Sequence, residues 1–220
     1  MATKRELIYA VLEKMKNVSD DQSLTEEFIA HLIDLKREYL LHQKYSDYRR
    51  VLPEVVKQTI EFEMVREQRI PGIDGEYVLV SSKELPRLTD LERLQNSTIL
   101  SGRDFMESYL NFIPYERFLY AGKDRWLRNQ IYAALRAGKL YLKSGNFRDK
   151  GITVLNMTGV FSDPELAYFM SPDYNYNVDF KDTVYPLPNS LADTVVNMVK
   201  TDLLESIQLR EDDRNNASPD

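Results

Sequence analysis

The only two histidines of this 220-residue chain lie in one stretch, "TEEFIAHLIDLKREYLLHQKY" (25–45), among carboxylates and bases. Histidine beside Asp and Glu is the raw material of acid–base catalysts and of zinc sites, so spacing must decide between them and a structural helix. His31 and His42 are eleven residues apart, which on a helix is about 16 Å along the axis. Ligands of one zinc ion must come within about 2 Å of it, so the pair cannot share a metal. Phe28, Leu32, Leu35 and Tyr39 recur at intervals of four, three and four, with Ile29, Ile33 and Leu40 beside them. That pattern predicts an amphipathic helix with one broad apolar stripe. Glu26, Glu27, Asp34, Arg37, Glu38 and Lys44 fall opposite, and the histidines sit at the stripe's edges. The helix reads as structural.

Other chemistries leave marks that this chain lacks. It has no G-x-x-x-x-G-K-[ST] loop, no G-x-G-x-x-G after a strand, no G-x-S-x-G elbow and no H-E-x-x-H. It has no cysteine, which removes disulfides, thiolate nucleophiles and cysteine metal sites and suits synthesis in a reducing cytoplasm. Glu61 and Glu63 alternate with apolar residues and belong on the wet face of a strand rather than across a glycosidase cleft. Asp20 and Asp21 lack the spaced oxygens and central glycine of a calcium loop, and suit the start of a helix instead. The expectation is a protein that is not an enzyme, with no catalytic, metal or cofactor-binding residue and no cofactor.

Charge points toward surfaces. The net charge is −6, yet residues 122–151 carry eight Lys/Arg against two Asp, so this segment is +6 and the remainder −12. An acidic total argues against a protein devoted to clamping nucleic acid. The basic segment has two readings. Arg125, Arg128 and Lys143, interleaved with Trp126, could contact phosphates and stack on bases, which would make an accessory nucleic-acid-binding protein. Alternatively the segment docks on the acidic surface of another copy, head to tail. The inter-subunit reading is preferred, with Trp126 as an anchor. Fourteen tyrosines and nine phenylalanines supply side chains favoured at protein interfaces.

The elements that position these residues follow from periodicity and punctuation. Helices are expected from about Lys4 to Lys16, opened by a Thr3/Glu6 capping box, and then to Tyr45, opened by Ser23/Glu26. "QTIEFEMV" and "EYVLVSS" (76–82) read as a hairpin over 58–82 around "RIPGIDG". Residues 105–122 look mostly helical, with a break near Pro114. "QIYAALRAGKLYLKSG" (130–145) reads as a hairpin turning at "RAGK", and 151–161 as a strand. Asp163 caps a short helix with Pro164 at its first position. Residues 171–188 form a long aromatic connection of the kind that binds partners; Tyr174, Tyr176, Phe180 and Tyr185 are its candidate interface residues. A last helix is expected over 188–209, and 210–220 is expected to be a disordered acidic tail. The sum is one α+β domain over 1–209, helical at 4–45 and β-rich at 58–161, with amphipathic helices at both ends packed together around a β-hairpin-rich middle. No window is long and apolar enough to span a membrane, and the opening residues do not read as a signal peptide.

Several segments carry a resemblance. The opening 45 residues, "AGKLYLKSG", "GITVLNMTGVFSDPELA" and "YPLPNSLADTVVNMVKTDLL", in this order, resemble the neck (head-to-tail connector) ring proteins of crAss-like tailed bacteriophages. The resemblance draws on no segment within residues 58–110. The resemblance implies a virion structural protein in the neck or tail region, made in the bacterial host cytoplasm and lacking catalytic residues. It implies a homo-oligomeric ring of twelve copies that contacts the portal protein and other neck or tail proteins, with phage DNA passing through the lumen and no membrane contact. An acidic lumen would suit such a conduit, since like charge keeps DNA from adhering.

Overall fold

The computed structural model describes residues 2–16, 25–47, 50–67, 78–89, 98–102, 105–109, 111–122, 130–144 and 153–216. The chain divides into two compact units, 1–56 with 176–220 and 57–175. Read by pattern alone the same residues form one domain, because a chain that leaves a helical unit and returns to it shows no linker.

The first unit contains both chain ends. Helix α1 (Lys4–Lys16) opens on the expected capping box: Thr3 N–H donates to Glu6 Oε2 at 3.0 Å, and Glu6 N–H donates to Thr3 Oγ1 at 3.2 Å. Helix α2 (Glu26–Tyr45) is capped by Thr25, whose hydroxyl accepts from Phe28 N–H; the expected partner Ser23 lies outside the described residues. The last long helix, Asn189–Asn216, packs on both of them. Leu7, Ile8, Val11 and Met15 meet Ile29, Ile33, Leu40 and Leu41 and the stripe Leu191, Val195, Val199 and Leu203, all buried. Backbone ties close the unit, with Thr3 bridging Val184 and Tyr185 N–H donating to the Ala2 carbonyl. The last helix continues seven residues beyond the expected end at 209, so the tail expected to be disordered begins as helix over 210–216. No Gly or Pro interrupts 189–216, and extending a formed helix adds one hydrogen bond per residue without a new nucleus.

The second unit is built on a sheet. Its strands are β1 (Gln58–Glu67), β2 (Val78–Ser81), β3 (Ile99–Gly102), β4 (Phe105–Tyr109), β5 (Asn111–Phe112), β6 (Tyr132–Arg136), β7 (Lys139–Lys143) and β8 (Val154–Gly159). They lie in the order β4-β3-β8-β1-β2-β7-β6-β5, antiparallel except for β5 with β6. Strand β1 joins the halves, pairing residues 58–63 with β8 and 64–67 with β2. Ile60, Phe62 and Met64 point into the core while Glu61, Glu63 and Val65 face solvent, the expected alternation. Core residues gather on one face from β1, β2, β7 and β8. On the other, Val78, Val80, Phe118, Tyr132 and Ala134 form a second cluster. Strand β2 is covered on both faces, which is why it reads as an unbroken apolar run. The β6–β7 hairpin turns at Ala137 (φ 49°) and Gly138 (φ 72°), the two left-handed residues of a type I′ turn.

One expectation is corrected here. Residues 105–122 begin as strand, with β4 paired to β3, and among the described residues only Tyr115–Phe118, the short helix α3, are helical. Aromatic residues fit a strand that finds a partner edge as readily as a helix, and pairing decided. Helix α4 (Pro164–Phe169) is capped as expected, Asp163 Oδ1 accepting from Leu166 N–H at 2.9 Å. The Asn189–Asn216 helix is α5 hereafter.

Candidate assembly surfaces

The titratable residues of α2 do not assemble a chemical site. His31 is exposed, and His42 Nε2 lies 3.9 Å from Glu38 Oε1. Among the described residues no three His, Asp or Glu side chains are grouped to hold a metal, and no helix is long and apolar enough to cross a membrane.

What α2 holds instead is a buried polar network. Arg37, expected on the wet face, is fully buried and donates from Nε to the Pro186 carbonyl at 2.9 Å. One turn earlier Asp34 accepts from the buried Lys4 ammonium at 2.7 Å and from the Tyr185 hydroxyl at 2.6 Å. Lys4 lies 5.5 Å from the Phe180 ring centre, and the Arg37 guanidinium 5.9 Å from that of Tyr185. Burial lowers the pKa of Arg37, while Tyr185, Asp34 and Glu38 act to raise it. At the surface of the same unit Arg5 forms ion pairs with Asp182 at 2.6 Å and Asp179 at 3.1 Å, which raise its pKa, Asp182 most.

The network turns the helix. The core takes Ile29, Ile33, Arg37, Leu40 and Leu41. Phe28, Leu35 and Tyr39 of the expected apolar stripe remain about half exposed, at 48, 49 and 56%. Ile29, Ile33 and Leu40, the other part of the expected broad stripe, are the ones that turn inward, each one position, or 100° of helix rotation, on from Phe28, Leu32 or Tyr39. Periodicity alone cannot separate these faces, because both carry apolar residues at helical spacing.

The expected interface residues scatter. Arg125, Trp126 and Arg128 lie outside the described residues. Phe180 and Tyr185 are corrected from surface to core: they are 3 and 1% exposed, with ring centres 6.4 Å apart. An aromatic loop returning to its own helices can bury rings as effectively as a partner does. Lys143 is likewise buried, on the inner strand β7 between β2 and β6. Tyr174 is half-buried, edge-on to Tyr168 and Phe169 at 5.4 and 5.3 Å. Tyr176 stands 88% exposed.

A hollow of about 710 Å³ in the sheet unit went unsuspected from sequence. Leu88, Phe112, Pro114 and Leu135 line it with Arg87 and Arg136, and no carboxylate is among the described residues that line it. The Arg136 guanidinium stacks 4.4 Å from the Tyr115 ring centre, a cation–π contact that fixes the charge at the rim. Three distant segments, 85–88, 112–115 and 135–138, meet there, which no local pattern announces. The wall offers apolar contact and positive charge, with no acid–base pair or nucleophile, and so suits a protein side-chain ridge.

Comparison with known proteins agrees with surfaces of this kind. The family described as "Phage tail ring protein 2" matches residues 6–220. "Ring protein 2" of Bacteroides phage crAss001 is 28% identical over 229 residues, spanning 99% of this chain and 97% of that protein.

Proposed function

From the premise that the chain belongs to the phage tail ring protein 2 family, we infer that it is a structural component of the virion. It acts as the subunit of a homo-oligomeric ring and carries no catalysis. The observation behind this reading is the family match across almost the whole chain. The exposed apolar stripe on α2 and the arginine-rimmed hollow support it, being surfaces a subunit needs and a lone soluble chain does not. At the finer level the ring belongs to the neck, joins the portal to the tail proteins and lets the genome pass, with twelve copies and an acidic lumen. The protein is made in the host cytoplasm before incorporation.

The nucleic-acid alternative draws no support from the described part of the basic segment. Lys143, which that reading names, is buried, while the exposed Arg136 stacks on Tyr115 and keeps its charge at the rim of the hollow. The test is twofold. Quantitative mass spectrometry of purified particles should find the chain at a fixed ratio to the portal protein. Mass measurement of the purified full chain across a concentration series should find a discrete multiple of 25.8 kDa, at twelve if the copy number is right. Absence from particles would overturn the structural reading, and a multiple other than twelve would correct the copy number alone.

A further inference from the structure

Phe28, Leu35 and Tyr39 lie at positions i, i+7 and i+11 of α2, with Leu32 half-buried between them, so they share one face. The line runs about 16 Å along the axis. The opposite face is occupied by the chain's own core, and the stripe leaves on the order of 300 Å² of side-chain surface in solvent, near half of what three such residues can bury. That is enough for the centre of an interface but short of the roughly 800 Å² per partner that a stable one takes. The stripe therefore calls for a shaped partner with its own rim.

Symmetry restricts that partner. If a stripe met its own copy, the contact would close as a pair and stop; a ring of more than two copies joins two unlike patches at every boundary. The hollow formed by Leu88, Phe112, Pro114 and Leu135 is such an unlike patch, concave where the helix is convex. Its charge is also complementary. Glu27 and Glu38 directly precede Phe28 and Tyr39 on α2, and Lys36, which follows Leu35, is paired with Asp202; among the described residues that line the hollow the charged ones are Arg87 and Arg136. We propose that the α2 stripe of one copy seats in this hollow of a second copy of the chain, as a helix laid in a groove. The assignment rests on the ring reading above and adds to it which two surfaces meet.

The absence of cysteine makes the pairing directly measurable. Tyr39 and Leu135 are both exposed, so a cysteine at either leaves the fold intact, which circular dichroism checks. The double variant Tyr39→Cys with Leu135→Cys, assembled and mildly oxidised, should give a ladder of covalent multimers on a non-reducing gel. Each single variant should run as monomer. Dimers from Tyr39→Cys alone would mean that the stripe meets itself, and would overturn the proposal. Monomer from the double variant while the unmodified chain forms rings would overturn it too, leaving the ring reading intact. If the unmodified full chain stays monomeric at every concentration, the ring reading in solution falls and this pairing with it.

Discussion

Arg37 of α2 donates its Nε–H to the Pro186 carbonyl across 149 residues of sequence, at 2.9 Å in a fully buried setting. The contact fastens the segment entering the last helix onto the second helix, and it settles which face of α2 turns inward. Arg37→Ala removes a buried donor, leaves the carbonyl unsatisfied and opens a cavity. The expected loss is about 3–5 kcal/mol by chemical denaturation. Arg37→Met keeps most of the volume and should lose less. Equal losses from the two would show that the polar contact, and not packing, is what Arg37 provides.

Asp34 is expected to matter more than either Lys4 or Tyr185. It accepts from buried Lys4 and from Tyr185 together, while its own side chain keeps 24% exposure. Asp34→Asn removes the charge facing a buried ammonium, whereas Lys4→Met leaves a carboxylate that water can reach. Breaking a buried pair from the side of the more accessible partner strands the buried charge. Asp34→Asn should therefore cost at least about 1 kcal/mol more than Lys4→Met. The reverse order in denaturant midpoints would reject that account. Tyr185→Phe, losing one hydrogen bond to a charged group, should cost about 1.5–3 kcal/mol.

How far these features were legible in the sequence varies with their range. The Thr3/Glu6 box, the Asp163 cap and the Ile60-Phe62-Met64 alternation were legible because they depend on neighbours within four residues. The Ala137-Gly138 turn was legible for the same reason. The facing of α2 was not, since the decision belongs to Lys4 and Tyr185, far away in the chain. Strand β4 was hidden because its partner β3 lies in a stretch with no pattern of its own. Tyr176 could be expected at the surface from its turn-rich setting. Phe180 and Tyr185 look identical to it in sequence, and are buried only because the chain folds back beneath them.

The type I′ turn yields opposite effects at adjacent residues. Ala137 holds φ 49° and Gly138 φ 72°, a region costly to residues with a Cβ and least so to Asn and Gly. A Cβ at Gly138 would also meet the Glu84 side chain at 3.2 Å. Gly138→Ala should destabilise the sheet unit by about 1 kcal/mol or more, and Ala137→Asn should stabilise it by a few tenths to about 1 kcal/mol. Hydrogen exchange at the β6–β7 amides reads this unit directly. Protection that rises in Gly138→Ala would contradict the turn assignment.

Tyr45 provides a signature at alkaline pH. Burial raises its pKa above the ordinary tyrosine value of 10.0, with Arg50 acting to lower it. An unfolded tyrosine loses its proton near pH 10, while the folded one retains it. The unfolded state then binds fewer protons, and stability falls as pH climbs. The contribution of Tyr45 is thus complete below about pH 10 and disappears as pH rises from there through the folded value. Tyr45→Phe has no proton to lose, so its denaturation midpoint should decline less steeply than that of the unmodified chain above about pH 10. Below that pH the two curves should run parallel, offset by whatever the hydroxyl contributes. Identical slopes above pH 10 would place the Tyr45 hydroxyl in water and contradict its 4% exposure.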